Sequence, residues 1–245
     1  MDVDGPADDM TVVLAPSSAL PWFGTRDDQR QAALAGLGAL LVTTLYVVVA
    51  RGFDTSTTGV EMLSLWASLA CVWLARRENI WCMPYGLVSV VLLGWYLLDI
   101  ELVGQGWLQY LYYVPVQLMG WWAWSRGGSG RTELPVTRLV RWWWLAVLGA
   151  FAALWIGCWV VFSTLYDSPA YLGWDSSITA ASVTAQSLMT WKKRESWWFW
   201  TVPVNVSAIG LFAVTEAWAF VFLYVVFLVN SMWGVRTWHR LEKAV

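Results

Sequence analysis

The reading of the fold turns on "RRENIWCMPYGLVSVV", residues 76–91, and on a second stretch of the same make, "KRESWWFWTVPVNVSA", residues 193–208. Both pass from a basic pair through glutamate and a polar residue into a tryptophan-bearing stretch, and then a proline. Both lead into apolar runs of helix length. Self-similarity of this kind marks an internal duplication, and it extends outward. The helix after the first stretch ends "MGWWAWSR" (119–126), and the helix after the second ends "MWGVRTWHR" (232–240). One three-helix unit is therefore expected over about 57–126 and another over about 174–240.

Composition says what medium these helices need. Of 245 residues, 58% are hydrophobic and 13% charged, and the mean hydropathy is +0.53. A soluble domain carries about 25% charged residues. This chain lacks the charge to cover a water-facing surface, so an all-α polytopic membrane protein is expected rather than an apolar soluble enzyme. A bilayer span takes about 20 mostly apolar residues. Eight are expected: 31–50, about 57–75, 79–98, about 102–125, 142–166, about 174–191, 196–215 and 217–237. The sixth contains "DSSITAASVTAQSLMT" and is polar for a span.

Basic residues gather on the cytoplasmic side of a membrane. With eight spans, both termini and every second loop share one face. That face takes all of the chain's 15 Lys and Arg residues except Arg51. Removing a span from the middle would scatter this asymmetry. Both termini are therefore expected in the cytoplasm, with a mostly disordered leader over 1–30 and an extra N-terminal helix at 31–50. No secretory signal peptide is expected, because the first apolar run begins only near residue 31.

Each three-helix unit has an odd number of spans. The single span at 142–166 restores the direction, so the two units enter the membrane the same way up. The layout reads 1+3+1+3, with two parallel repeats of the kind that hold a substrate between them near mid-depth. Two like halves around one site can rock and expose it alternately, which favours a carrier over a receptor or a membrane enzyme. A net charge of -2 offers no basic patch for nucleic acid. Cys71, Cys82 and Cys158 lie in apolar runs without metal-ligand spacing, and the one histidine, His239, lies in the charged C-terminal tail. No metal, no cofactor and no enzyme chemistry is expected, since the chain has no His cluster, no paired central carboxylates and no nucleophile elbow.

Polar side chains inside spans face a bundle interior. Here they are mostly neutral, among them Ser64, Ser68, Ser89, Gln109, Gln117, Thr184, Gln186, Asn205, Ser207, Tyr224 and Asn230. Ser64 and Ser68 suit hydrogen bonds between helices. The amides of Gln117, Gln186, Asn205 and Asn230 suit either such bonds or a solute rich in amide and hydroxyl groups. The acids Glu61, Asp99, Asp175 and Glu216 fall near span ends, so proton coupling is not expected. Among the 22 tryptophans, "RWWW" (141–144), Trp81 and Trp124 read as interfacial belt residues. Trp197 and Trp200 are three apart and share a helix face, which suits a stacking wall for a flat, cationic ring.

In "ENIWCMPYGLVSVV" (78–91), "GWLQYLYYVPVQLMGWWAW" (106–124), "DSSITAASVTAQSLMTWKKRESWWFW" (175–200) and "VNVSAIGLF" (204–212), the chain resembles the PnuC family of vitamin-precursor transporters. The resemblance covers nearly all of 57–240. It implies a fold like a full-length SWEET sugar transporter with an added N-terminal helix, assembled as a homotrimer in the bacterial inner membrane. It implies facilitated diffusion of nicotinamide riboside, with a cytoplasmic kinase trapping the substrate. Relatives carry riboflavin or thiamine, so these stay open as substrates. By the same motif, Trp197, Trp200 and Asn205 would face the ligand, with Gln109, Gln117 and Gln186 nearby. Tyr113, Tyr224, Asn230 and Ser89 complete the candidate set. Many relatives carry Asp where Asn205 stands and Trp where Met83 stands. An acid at 205 could pair with a cation; Asn can only hydrogen-bond.

Overall fold

The computed structural model describes residues 22–52, 58–99, 103–165, 171–216 and 218–243. Its elements in chain order are α1 (Arg26–Gly52), α2 (Gly59–Arg76), α3 (Cys82–Asp99), α4 (Val103–Leu108), a π-helical stretch π1 (Gln109–Tyr113), α5 (Val114–Arg126), α6 (Trp143–Leu165), α7 (Leu172–Thr190), α8 (Ser196–Phe199), a second π-helical stretch π2 (Trp200–Val206), α9 (Ser207–Val214) and α10 (Trp218–Lys243). Contiguous elements join, so the described residues form eight helical runs.

Prolines account for both π-helical stretches. A proline has no N–H to give to the carbonyl four residues back. Pro203 lies inside π2, and Pro115 is the second residue of α5, which follows π1. The wider turn of a π-helix absorbs the missing bond. Five runs are long and apolar enough to cross a bilayer: α1, α2, α6, the run 196–214 and α10. In α7 the buried face is built from Ser176, Ala180, Ala181, Thr184 and Ala185. Small side chains let neighbouring backbones approach. Thr184, Ser187 and Thr190 each donate the hydroxyl to the carbonyl four residues back, so these groups are satisfied within the helix.

α1 starts earlier than expected. Thr25 and Asp28 cap it reciprocally: Thr25 Oγ1 donates to Asp28 Oδ2 (2.7 Å), and Asp28 N–H donates to Thr25 Oγ1 (3.2 Å). Residues 26–30, assigned above to the leader, are therefore helical; residues 1–21 lie outside the described residues. The approach to α1 is tied down by Trp121 Nε1 on Trp22 O (2.8 Å) and Trp81 Nε1 on Phe23 O (3.0 Å). α1 lies on α2 and α3, with Trp66 Nε1 donating to Gly36 O (2.8 Å) and Tyr85 Oη to Ala32 O (3.2 Å). α6 packs on α7 and exposes most of its apolar side chains.

α2 and α7 end alike. One residue past the cap, Glu78 and Lys192 take left-handed φ values of 57° and 47°. The next N–H then reaches back to the last turn, Asn79 to Leu74 O (3.1 Å) and Lys193 to Leu188 O (2.9 Å). The following helix starts from a matching bond, Cys82 to Asn79 O and Ser196 to Lys193 O (3.0 Å each). The backbone thus aligns Glu78 with Lys192. The shared motif of basic pair and glutamate aligns Glu78 with Glu195 instead. Hydrogen bonds set the turn, whereas the side chains at the two turns answer to different neighbours.

Those neighbours are each other. The Lys192 side chain is 1% exposed, with Nζ 3.1 Å from Glu78 Oε1 and 3.0 Å from Glu133 Oε1. It also stands 4.8 Å from the centre of the Trp124 ring. Partial burial raises the Glu78 carboxyl above its ordinary range, while Lys192 pulls it down. The segment between α5 and α6 straps this end. Thr137 N–H donates to Lys192 O (3.1 Å), Arg194 N–H to Thr137 O (3.0 Å), and Leu139 N–H to Glu195 Oε2 (2.9 Å). Arg194 also reaches Glu242 (3.0 Å) and His239 at the end of α10. Trp124, read above as a belt residue, is 1% exposed and donates Nε1 to Met189 O (3.3 Å). Its ring lies beneath a buried ammonium, a better place for an indole face than the headgroup level.

A buried charge stripped of its partners costs about 3–5 kcal/mol. The double variant Glu78→Gln/Glu133→Gln, which strands Lys192, should therefore lower the thermal unfolding midpoint in detergent more than Lys192→Met, which removes the charge itself. The reverse order would show that the carboxylates, not the ammonium, carry the burial cost.

Candidate functional site

A cavity of about 400 Å³ lies among α2, α3, π1, α5, α7, π2 and α10. That size suits a small-molecule site. All ten candidate residues border it: Ser89, Gln109, Tyr113, Gln117, Gln186, Trp197, Trp200, Asn205, Tyr224 and Asn230. They come from five of the eight helical runs only because those runs converge. Both π-helical stretches deliver residues to the wall, π1 with Gln109 and Tyr113, π2 with Trp200 and Asn205. π-helical turns shift the face a helix presents and recur at functional sites.

The wall is specific about which groups are used up. Ser64 Oγ donates to Ser89 O (3.0 Å), an inter-helix bond that leaves little of Ser64 for a solute. Asn205 Nδ2 donates to Ser231 Oγ (3.2 Å), which passes its own proton to Leu228 O (2.8 Å). Asn230 Nδ2 donates to Val72 O (3.0 Å), joining α10 to α2. That bond orients the amide and leaves Asn230 Oδ1 buried without a protein partner among the described residues. Trp197 Nε1 is in the same state. Both residues border the cavity, but each of these two atoms is itself buried. Each is costly to leave unmet.

Gly86 makes room for Gln117: a Cβ there would collide with Nε2 of the amide. Gly234 does the same for Trp197, whose indole lies across the glycine with its edge against Trp238, ring centres 5.6 Å apart. Trp197 is 3% exposed and belongs to the packed core, while Trp200 is only partly buried. The two indoles share a face, as their spacing required, but Trp200 has the freer ring. Tyr112, next to the candidate Tyr113, ties π1 to α7 through Val183 O and Ser187 Oγ (2.8 Å each).

A profile of the family described as nicotinamide mononucleotide transporter matches residues 58–240. The chain belongs to this family, the PnuC transporters. It is 32% identical over 190 residues to the nicotinamide riboside transporter PnuC of Neisseria mucosa, covering 71% of this chain and 70% of that one. It is 28% identical over 214 residues to the PnuC of Escherichia coli K12, covering 77% and 87%. A crystal structure of the vitamin B3 transporter PnuC shares the fold, with a TM-score of 0.69 at 24% identity over 90% of this chain and 99% of that one.

Among the wall residues of this PnuC-family chain that sequence reasoning did not single out for the site are Tyr46, Glu61, Trp124, Phe212 and Phe220. Tyr46 belongs to α1, outside the repeated units, where no motif marks it. The two phenylalanines look lipid-facing in sequence, yet Phe212 stacks on Phe220 (4.9 Å) and on Tyr224 (5.4 Å). The four-residue step from Phe220 to Tyr224 was the available signal, since it puts both on one helix face.

Adding even one methyl at Gly234 overpacks the Trp197 site, at about 1–3 kcal/mol. Gly234→Ala should lower the unfolding midpoint in detergent, and Trp197→Phe should recover part of that loss in a double-mutant cycle. Strict additivity would mean that the indole does not rest on α10 there.

Proposed function

We propose that the protein carries nicotinamide riboside across a bacterial cytoplasmic membrane by facilitated diffusion, and that the cavity is its binding site. The observation that carries this reading is the mixed wall. Trp200 and Trp197 supply aromatic surface, while Gln109, Gln117, Gln186 and Asn205 supply side-chain amides. Nicotinamide riboside has a flat pyridinium ring, a carboxamide that both donates and accepts, and ribose hydroxyls. It can stack on indole and hydrogen-bond to the amides of the wall. Gln109, Gln117, Gln186, Asn205, Tyr113, Tyr224 and Ser89 serve as further substrate contacts in this reading. The names of the similar PnuC proteins support the choice of substrate.

In the same reading all eight helical runs cross the bilayer, as 1+3+1+3, and the units containing α2 and α7 are parallel repeats. The like-ended α2 and α7 support this, as does the gathering of basic residues at one set of connections. Nineteen residues of α7 reach about 28 Å, close to the thickness of a hydrocarbon core. Rocking of the two units would expose the cavity to each side in turn. Apart from Glu61, the described residues bordering the cavity are uncharged, which suits a carrier that moves its substrate down a gradient while a cytoplasmic kinase makes uptake one-way. Assembly as a homotrimer belongs to the same proposal.

Uptake into proteoliposomes without any ion gradient tests it. Labelled nicotinamide riboside should enter to equal concentration and no further. Trp200→Ala and Asn205→Ala should each slow entry about tenfold or more. Accumulation that requires a sodium or proton gradient would overturn the facilitator reading, and tighter competition by thiamine or riboflavin would overturn the choice of substrate.

A further inference from the structure

Glu61 is the one Asp, Glu, Lys or Arg among the described residues lining the cavity. It sits in the first turn of α2, and none of the ion pairs among the described residues involves it. The carboxylate is held in place by neutral donors. Its Oε1 accepts from Tyr46 Oη (3.1 Å), and its Oε2 accepts from Thr58 N–H (3.4 Å) as part of the α2 cap. Tyr46 comes from α1, is 2% exposed, and also borders the cavity. A carboxylate fixed this way has lone pairs left for a cation.

Contacts define which end of the cavity this is. Glu78, just beyond the end of α2, pairs with Lys192, and Glu242, near the end of α10, pairs with Arg194. The two helices therefore run the same way. Asn230 of α10 meets Val72 of α2, so Phe220 lies near the level of the first turn of α2. Glu61 and the Phe220–Phe212–Tyr224 stack thus share one end of the cavity, the end remote from Lys192 and Trp124. A carboxylate beside aromatic faces is an environment that favours a cation. Low-dielectric walls carry the field of a single charge further than water would.

We propose that Glu61, positioned by Tyr46, selects for charge at this end, drawing cationic flat-ring solutes into the cavity ahead of neutral ones of the same shape. This rests on the reading that the cavity takes nicotinamide riboside, whose pyridinium ring carries one positive charge. It also gives α1, which lies outside the three-helix units, a part in the path.

The test compares two forms of one solute. The full-length chain is reconstituted in vesicles of neutral lipid. Initial uptake is then measured, at low concentration, for labelled nicotinamide riboside and for its uncharged 1,4-dihydro form. Glu61→Gln removes the charge and keeps one acceptor oxygen for the Thr58 N–H, while the Tyr46 hydroxyl can accept from the new amide N–H. It should slow entry of the cation by about three- to tenfold, and entry of the neutral form by less than about twofold. Added salt should shrink the wild-type preference for the cation and leave Glu61→Gln unaffected. Glu61→Asp should retain the preference, and Tyr46→Phe should lose part of it while still carrying the neutral form, which also reports correct folding. Equal losses for both forms, or an unchanged cation rate, would overturn the proposal alone. A wild-type chain that carries neither form would overturn the functional reading beneath it.

Discussion

One buried ammonium holds three distant segments of this molecule in register. Lys192 follows α7, Glu78 follows α2, and Glu133 lies in the strap between α5 and α6; the three meet over the ring of Trp124. Taking a lysine out of water costs several kcal/mol unless its charge is met closely. The cluster therefore tolerates little displacement of any partner. Because Glu78 and Lys192 occupy equivalent positions at two like helix ends, their attraction joins those ends directly. Arg194 then extends the same junction to the end of α10.

With one end of the bundle pinned, the middle can hold an opening. Close approach at Gly86 and Gly234 spends backbone space on Gln117 and Trp197. Prolines widen two helices into π-helical turns that bring Gln109 and Asn205 to the wall. Asn230 and Trp197 each keep a buried polar atom with no partner among the described residues. Such arrangements work against stability, and they persist where function needs open valences. The rigid junction at the charged end offsets them.

Much of this was readable from the chain alone. Hydrophobic runs gave the helical character, and the doubled proline–tryptophan motif pointed to residues that do converge on one cavity. Three things were not readable. The match of Glu78 to Lys192 is a backbone hydrogen-bond alignment, and the charge pattern pointed three residues away. Trp124 has the same local setting as belt tryptophans, and only the arrival of Lys192 beneath the strap marks it as buried. Tyr46 and Glu61 belong to helices joined by no motif, so their bond across α1 and α2 left no trace in spacing.

The amino-acid order by itself determined the medium, the helices and the stock of polar and aromatic side chains, because burial of apolar surface and local hydrogen bonding act over a few residues. Tertiary structure alone decided which amides are spent on neighbours and which partners meet charges such as Glu61 and Lys192. Those outcomes depend on approaches of a few ångströms between helices far apart in the chain, and no local pattern encodes such a distance.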